Sequence, residues 1–168
     1  MKLPALLFSA LALLLAAGCG KNDAAAPGAA PAPAAATGPR TIEITAGDTM
    51  KFSVGSIEVT SIEVKAGESL KVVFTNVGTL PKEVMGHNWV LLKKGSDSAA
   101  FAGAAMVAKA TDYIPDALKG EIIAHSEVLG PKKSAEILFV APTEPGDYPY
   151  LCSFPGHYVQ MKGVLVVK

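Results

Sequence analysis

The sequence predicts an all-β domain, folded as a sandwich or a barrel, with one helical segment inserted between strands. Apolar and polar residues alternate with a period of two in residues 41–45 and 70–75, which is the pattern of half-buried strands. Turn sequences such as Gly130-Pro131 and Pro145-Gly146 separate several runs of this kind. Regularly spaced short strands with turns between them are typical of sandwiches and barrels.

The first 19 residues have the features of an export signal. Lys2 supplies a short basic region, and residues 6–15 form an apolar core too short to span a bilayer comfortably. Residues 15–19, Leu-Ala-Ala-Gly-Cys, resemble the bacterial lipobox, whose cysteine receives a lipid and becomes the new N-terminus. We therefore expect Cys19 to be lipidated and to anchor the protein to a membrane of the cell envelope. The alternative is secretory cleavage near Ala17, which would leave an unpaired thiol in an oxidising compartment.

Residues 20–40 are rich in Ala, Pro and Gly and contain little that could form a core. This composition is typical of a disordered tether, which would reach about 65 Å if it were fully polyproline II. The folded domain is predicted to span residues 41–168. The chain carries 15 basic and 15 acidic residues, so its charge gives no indication of a nucleic-acid partner. Its two cysteines have separate predicted roles, so we expect no disulfide framework.

The remaining strands follow in chain order. Ile57 and Val59 point to one side by parity, whereas Ile62 and Val64 have changed phase, so a bulge or bend is expected between them. Further strands are predicted at residues 88–92, 122–125, 135–140, 148–152 and 163–167.

One segment differs from this pattern. Residues 98–109 are rich in alanine and place Phe101, Ala105 and Ala108 near helical spacing. This segment is predicted to be a helical flap between two strands, ending before Pro115.

A thiol, an imidazole and a thioether follow one predicted strand, as Cys152, His157 and Met161. Such soft and borderline ligands select copper, and two His with one Cys and a distant Met are typical of electron-transfer copper sites. Pro155-Gly156 makes a tight ligand loop plausible, because Pro fixes φ and Gly accepts a positive φ.

The second histidine must come from elsewhere in the chain. His87 lies at a loop-to-strand boundary beside Gly86, which lets the backbone come close to a ligand. His125 lies among polar neighbours and is expected to be a solvated surface residue. We therefore predict His87 as the partner of the Cys152 segment, with Trp89 in the core.

Other interpretations stay open at this point. Each of these side chains alone is more often a packing residue than a ligand. Cys152 beside His157 could be a nucleophile with its base, although a third residue would have to orient the imidazole. Structural zinc sites use Cys and His but rarely Met. A copper carrier or chaperone is a further alternative, although carriers usually have exposed Met or His clusters in flexible segments, which the predicted tether lacks.

Two segments together resemble the azurins. They are residues 80–90, Leu-Pro-Lys-Glu-Val-Met-Gly-His-Asn-Trp-Val, and residues 152–163, Cys-Ser-Phe-Pro-Gly-His-Tyr-Val-Gln-Met-Lys-Gly. The similarity covers roughly residues 47–168. It implies a cupredoxin, a Greek-key β-sandwich of about eight strands, that carries single electrons on one type 1 copper ion.

The resemblance implies a role for several residues. The implied metal ligands are His87, Cys152, His157, Met161 and the carbonyl of Gly86. The first three would be equatorial, the thioether a weak axial ligand and the carbonyl a second axial contact. Backbone N–H groups of Asn88 and Phe154 would donate to the thiolate. The implied electron-transfer patch consists of Met85, Phe154, Pro155, Gly156 and His157.

Function and partners follow as expectations. Five ligand groups leave no coordination position for a substrate, so we expect no enzymatic activity. The resemblance implies a monomer in the periplasm or cell envelope, whose partners are redox proteins such as c-type cytochromes or copper-containing oxidoreductases.

The chain departs from the azurins in lacking their N-terminal disulfide, and Asn76 stands where many azurins have histidine. Because of the predicted lipid and tether, the chain resembles the lipid-anchored azurins and auracyanins more than the soluble azurins.

Overall fold

The structure, a computed structural model, describes residues 38–168. The export signal, the lipobox and most of the predicted tether lie outside the described residues. Within residues 38–168, ten strands form two five-stranded sheets. The predicted all-β sandwich is therefore confirmed, with two more strands than the eight or so expected.

The elements have the following bounds. The strands are β1 (Arg40–Ala46), β2 (Phe52–Val54), β3 (Ile57–Glu58), β4 (Ser61–Val64), β5 (Ser69–Asn76), β6 (Val90–Leu92), β7 (Ile122–His125), β8 (Ser134–Val140), β9 (Gly146–Leu151) and β10 (Lys162–Val167). The helices are α1 (Lys82–Met85) and α2 (Ser98–Ala105), with 3₁₀ turns at Lys109–Thr111, Asp116–Glu121 and His157–Val159. Neither β2 nor α1 was predicted from the sequence.

The two sheets combine parallel and antiparallel pairs. Strand order is β3-β2-β1-β5-β8 in the first sheet and β4-β10-β9-β6-β7 in the second. β1 pairs with β5 in parallel, as β4 does with β10, and the other pairs are antiparallel. This arrangement is consistent with a Greek key.

The predicted change of phase marks the point where the chain passes between sheets. β3 ends at Glu58 in the first sheet, and β4 begins at Ser61 in the second. Ile62 and Val64 of β4 are buried, whereas Ile57 of β3 is exposed. A bend is needed there because each sheet must turn its apolar face toward the same core.

The core lies between the sheets. Alternate residues of β5, Leu70, Val72 and Phe74, are buried as their spacing predicted. They join an aromatic group formed by Phe52, Phe74, Trp89, Phe139 and Tyr150, whose neighbouring ring centroids lie 5.6–6.0 Å apart. Trp89 is fully buried, in agreement with its predicted place in the core.

The helical flap is shorter than expected. α2 begins after Asp97, whose carboxylate accepts from the N–H groups of Ala99 (2.9 Å) and Ala100 (3.0 Å), as an N-cap does. It ends at Ala105, four residues before the expected end at Lys109. Phe101 packs into a second apolar cluster and Ala105 is buried, whereas Val107 is 90% exposed. Further turns would therefore have buried no apolar surface to offset their ordering entropy.

One strand boundary also differs. β6 begins at Val90 and not at Asn88. His87 is bridged to Leu129, and the Asn88 side chain is bonded to a neighbouring loop, so these residues lie outside the ladder.

The direction of β1 shows at which end of the sandwich the chain enters the domain. β1 starts at Arg40, beside Glu68 and the backbone of Glu63, and ends at Ala46. Seven strand residues span about 20 Å. Residue 38 therefore enters the domain at the end opposite to Gly47. Among residues 38–168, no helix is long and apolar enough to cross a bilayer.

Gly163 provides a test of the packing between β9 and β10. It pairs with Tyr150, and a Cβ at this position would collide with the Tyr150 ring and hydroxyl and with the carbonyl of Thr60. That hydroxyl donates to the Val59 carbonyl at 3.1 Å and cannot move without losing the bond. Gly163→Ala should therefore lower the free energy of unfolding by about 1–3 kcal/mol, measured by urea denaturation.

Gly103→Ala is the matched control. Gly103 lies on the exposed side of α2, and, apart from its chain neighbours and the nearby backbone of the helix itself, no atom lies within 4 Å of the position that an added methyl carbon would take. Since Ala is the better helix former, this variant should be neutral or more stable by up to about 1 kcal/mol. Equal stability of the two variants would show that Gly163 is not sterically constrained.

Candidate metal centre

Three buried side chains meet at the end of the sandwich where β9 stops. One ligand atom each from His87, Cys152 and His157 lies within 4.8 Å of the other two. His157 Nδ1 is 3.1 Å from His87 Nδ1 and 3.7 Å from the Cys152 sulfur. The structure thus brings together the three residues that the sequence analysis predicted as equatorial ligands.

Cys152 and His157 are held by a closed backbone loop. The Cys152 N–H donates to the Met161 carbonyl at 3.0 Å, and the Met161 N–H donates to the His157 carbonyl at 2.8 Å. The turn between them contains Gly156 with φ of +82°, the left-handed conformation expected for this residue. A short loop closed by its own hydrogen bonds leaves the two side chains little freedom.

His87 comes from a different part of the chain. It follows α1 and is paired with Leu129, each backbone N–H donating to the other carbonyl, at 3.1 and 2.7 Å. Gly86 has an ordinary extended conformation, but a Cβ there would overlap the Lys82 carbonyl and the Val128 side chain. Glycine is therefore required for close approach.

A backbone carbonyl fixes the tautomer of His87. His87 Nε2 lies 3.1 Å from the Gly47 carbonyl oxygen, which can only accept, so Nε2 carries the hydrogen. Nδ1 then carries the lone pair and faces Cys152 and His157. A histidine whose outer nitrogen donates to a carbonyl is the usual arrangement of a metal ligand.

Burial controls the protonation of the cluster. It raises the pKa of the Cys152 thiol to about 12, against the opposing effect of the Asn88 and Phe154 backbone N–H groups. It lowers the pKa of His157 to about 4, with a further contribution from His87, and lowers the pKa of His87 as well. At neutral pH the cluster therefore consists of two neutral imidazoles and one thiol.

These properties fit a soft metal cation. Two nitrogens and one sulfur face one another, and their repulsion and desolvation oppose placing a proton on either imidazole. A cation that replaces the thiol proton would satisfy all three groups at once. The donor types are those of copper and zinc sites.

The structure also locates the other predicted ligands. Met161 is fully buried in the same loop as Cys152 and His157. Gly86 is buried and directly precedes His87. Their axial roles stay predictions.

Asn88 has a second role that the sequence analysis missed. Its side chain donates to the Ser153 hydroxyl and accepts from the Ser153 N–H, both at 2.8 Å. It thereby joins the segment that carries His87 to the one that carries Cys152. The sequence offered only its position beside a predicted ligand, because the burial that makes a partner necessary appears first in the structure.

Asn76 also supports the site. Its amide nitrogen donates to the carbonyls of Leu129 (3.0 Å) and Met85 (3.3 Å), and its oxygen accepts from the Gly78 N–H at 2.8 Å. It is therefore bonded to the residue that pairs with His87 and to the helix before it. From the sequence, Asn76 was evident only as a departure from the azurins.

The predicted patch forms a thin cover over the cluster. His157 is 4% exposed and its ring lies against Phe154, with centroids 4.7 Å apart. Met85 and Pro155 are half-buried, and Gly156 is exposed. Tyr113, which the sequence analysis did not identify, packs edge-on against Phe154 at 5.1 Å. His125 is exposed, as expected, with Nδ1 3.1 Å from the Ser126 carbonyl.

Comparisons with known proteins agree with this description. A family model described as copper binding proteins of the plastocyanin/azurin family matches residues 39–168. The azurin of Pseudomonas denitrificans is 34% identical over 129 residues, covering 76% of this chain and 97% of that protein. Auracyanin-A of Chloroflexus aurantiacus is 39% identical over 134 residues, covering 78% of this chain and 76% of that protein.

A solved structure gives the same result for the fold. Auracyanin A, described as a "blue" copper protein of the green thermophilic photosynthetic bacterium Chloroflexus aurantiacus, superposes with a TM-score of 0.67 at 36% identity. The superposition covers 78% of this chain and 100% of the auracyanin chain.

Proposed function

This chain belongs to the plastocyanin/azurin family of copper-binding proteins, and we propose that it carries single electrons between redox proteins. The observation that carries the proposal is the buried cluster of His87, Cys152 and His157, whose donor set matches a type 1 copper site. When bound, copper supplies a one-electron couple between its Cu(I) and Cu(II) states.

We assign the ligands accordingly. His87, Cys152 and His157 would hold the ion, and Met161 and the Gly86 carbonyl would be its two weaker ligands. The N–H groups of Asn88 and Phe154, which oppose the effect of burial on Cys152, stabilise its thiolate once the proton has left.

The frame around the ligands suits electron transfer. Asn88 ties the two ligand segments together, and Asn76 ties the His87 segment to its neighbours. The ligand atoms are therefore held in place by the chain itself, and they need little rearrangement when the charge of the site changes.

Two other functions fit less well. A cysteine hydrolase needs a thiol that ionises readily, whereas burial raises the pKa of Cys152 to about 12. A copper carrier must pass its ion to a partner, whereas all three side chains are buried within a hydrogen-bonded frame that favours retention. Both observations support an electron carrier without enzymatic activity.

The partners follow from the cover over His157. We propose that redox proteins such as c-type cytochromes or copper-containing oxidoreductases dock on the patch of Met85, Phe154, Pro155, Gly156 and His157. Neighbouring Val84 and Val159 are 59% and 73% exposed and would extend its apolar surface. Contacts of this kind are brief and depend weakly on salt. We also propose that Cys19 is lipidated and holds the protein in the cell envelope as a monomer.

Cys152→Ser tests the metal assignment. The Cu(II)-loaded protein should absorb intensely in the visible through thiolate-to-Cu(II) charge transfer, and the variant should lose this band but stay folded. At pH 7 the thiol is protonated, since its pKa is about 12, and His157 is neutral, since its pKa is about 4. Cu(II) uptake should therefore release about one proton in the wild type and about none in the variant, measured in weak buffer.

His125→Gln is the control for this experiment. It removes an exposed histidine outside the cluster and should leave both the absorption band and the proton release unchanged. A blue Cys152→Ser protein would contradict the ligand assignment.

Met85→Lys tests the docking patch. In self-exchange two patches meet, so the substitution places like charges opposite each other and should slow the rate about tenfold. The visible spectrum should not change, because Met85 is not a proposed ligand. Leu138→Lys on β8, where the side chain is 66% exposed, is the matched control and should have no effect. Equal self-exchange rates in the two variants would show that the docking surface lies elsewhere.

Cys19→Ser tests the anchor. A protein that cannot receive the lipid should move from the membrane fraction to the soluble envelope fraction on cell fractionation. Cys152→Ser should remain with the membranes, since it leaves the lipobox intact. Membrane association of Cys19→Ser, or an N-terminal peptide without lipid in the wild type by mass spectrometry, would count against lipidation.

A further inference from the structure

We propose that Asp48 is a positioning residue for the metal site, which fixes the ring orientation and tautomer of His87 through the backbone carbonyl of Gly47. This inference rests on the proposed copper function, because His87 is a ligand only there. Asp48 itself does not contact the cluster; it acts through two loops that meet behind His87.

The Asp48 carboxylate accepts hydrogen bonds from one short segment of the chain. The Thr79 N–H donates to Oδ1 and Oδ2 at 3.1 and 3.0 Å, and the Thr79 hydroxyl donates to Oδ2 at 2.7 Å. The Leu80 N–H also donates to Oδ1, at 3.3 Å. Four contacts to one side chain hold the loop after β1 against the loop after β5.

Both loops lead directly to His87. Asp48 follows Gly47, whose carbonyl receives the hydrogen of His87 Nε2 at 3.1 Å. Leu80 is followed by Pro81 and α1, and the helix ends one residue before Gly86. The Asp48 contacts therefore close a ring. It runs from Gly47 through Asp48 and the loop after β5 to His87, whose imidazole donates back to the Gly47 carbonyl.

Further contacts restrict the movement of the two loops that form this ring. The Val77 N–H donates to the Ala46 carbonyl at 2.7 Å, which joins the ends of β1 and β5. A Cβ on Gly78 would overlap the side-chain oxygens of Asp48 and Asn76, so the two acceptors enclose this residue. Movement of Asp48 would thus be passed to Gly47, its neighbour in the chain.

A carboxylate suits this position because it only accepts hydrogen bonds. It offers about four lone-pair sites, whereas an asparagine would turn its NH₂ group toward donors of the Thr79–Leu80 segment. The Thr79 hydroxyl bond, with those from the Thr79 and Leu80 N–H groups, lowers the pKa of Asp48. The residue is therefore ionised, and acceptor-only, throughout the neutral range.

Asp48→Asn in the full-length protein tests the inference with two readouts. In the metal-free protein, ¹⁵N NMR of the imidazoles should show His87 as a single Nε2–H tautomer in the wild type and as a mixture in the variant. In the Cu(II)-loaded protein, the variant should have an altered copper hyperfine coupling by EPR and should lose copper to a chelator about tenfold faster.

Two further variants complete the design. Thr79→Val keeps the carboxylate but removes one of its donors. It should change the His87 tautomer and the properties of the copper site in the same direction as Asp48→Asn, but by less. Glu63→Gln removes an exposed carboxylate at the opposite end of the sandwich, where Glu63 pairs with Lys168 at 2.6 Å, and should change neither.

The outcomes separate the two proposals. An unchanged tautomer and unchanged EPR spectrum in Asp48→Asn would overturn the positioning role, even if the variant were less stable to urea. Equal effects of Asp48→Asn and Glu63→Gln would also overturn it, because they would reflect charge alone. A wild type that forms no blue copper site would overturn the proposed function, while the tautomer measurement would still decide the role of Asp48.

Discussion

Two hydrogen bonds between the Asn88 side chain and Ser153 connect the segments that bring a metal-binding cluster together. The bonded residues lie 65 positions apart, one beside His87 and the other beside Cys152. Both bonds are buried, so breaking either would leave unpaired polar groups away from water, at a cost of about 1–3 kcal/mol each. The distance between the two ligand segments is therefore set by the protein, before any ion arrives.

The sandwich supplies the support that these bonds need. β9 delivers Cys152 from the middle of the second sheet, between β10 and β6, and the loop after β1 of the first sheet delivers the Gly47 carbonyl. The site thus draws on both sheets at once. The flap adds a third support, since Phe101 packs in the same cluster as Leu151 and Tyr158, the neighbours of Cys152 and His157.

The sequence predicted the parts of this structure that have a short-range signature. Strand alternation gave the buried face of β5, and the spacing of Cys152, His157 and Met161 indicated a ligand loop. Boundaries were less predictable where tertiary contacts compete with propensity, as at Asn88, whose side-chain bonds remove it from the β6 ladder. The supporting residues Asn76, Asn88 and Asp48 could not be assigned partners, because their hydrogen bonds cross between loops that are distant in the chain. No local pattern records which carbonyl such a side chain will reach.

The direction of β1 has a mechanical consequence. Whatever precedes residue 38 joins the domain beside Arg40, while Gly47 and His87 lie at the far end of the same strand, about 20 Å away. A pull on the N-terminus is then taken up by the seven paired residues that β1 shares with β5 and by the ion pair of Arg40 with Glu68. Such a load would act along the strand, in shear across its ladder, and would reach the ligands last. The ligand end of the domain is therefore mechanically separated from the point where residue 38 enters it.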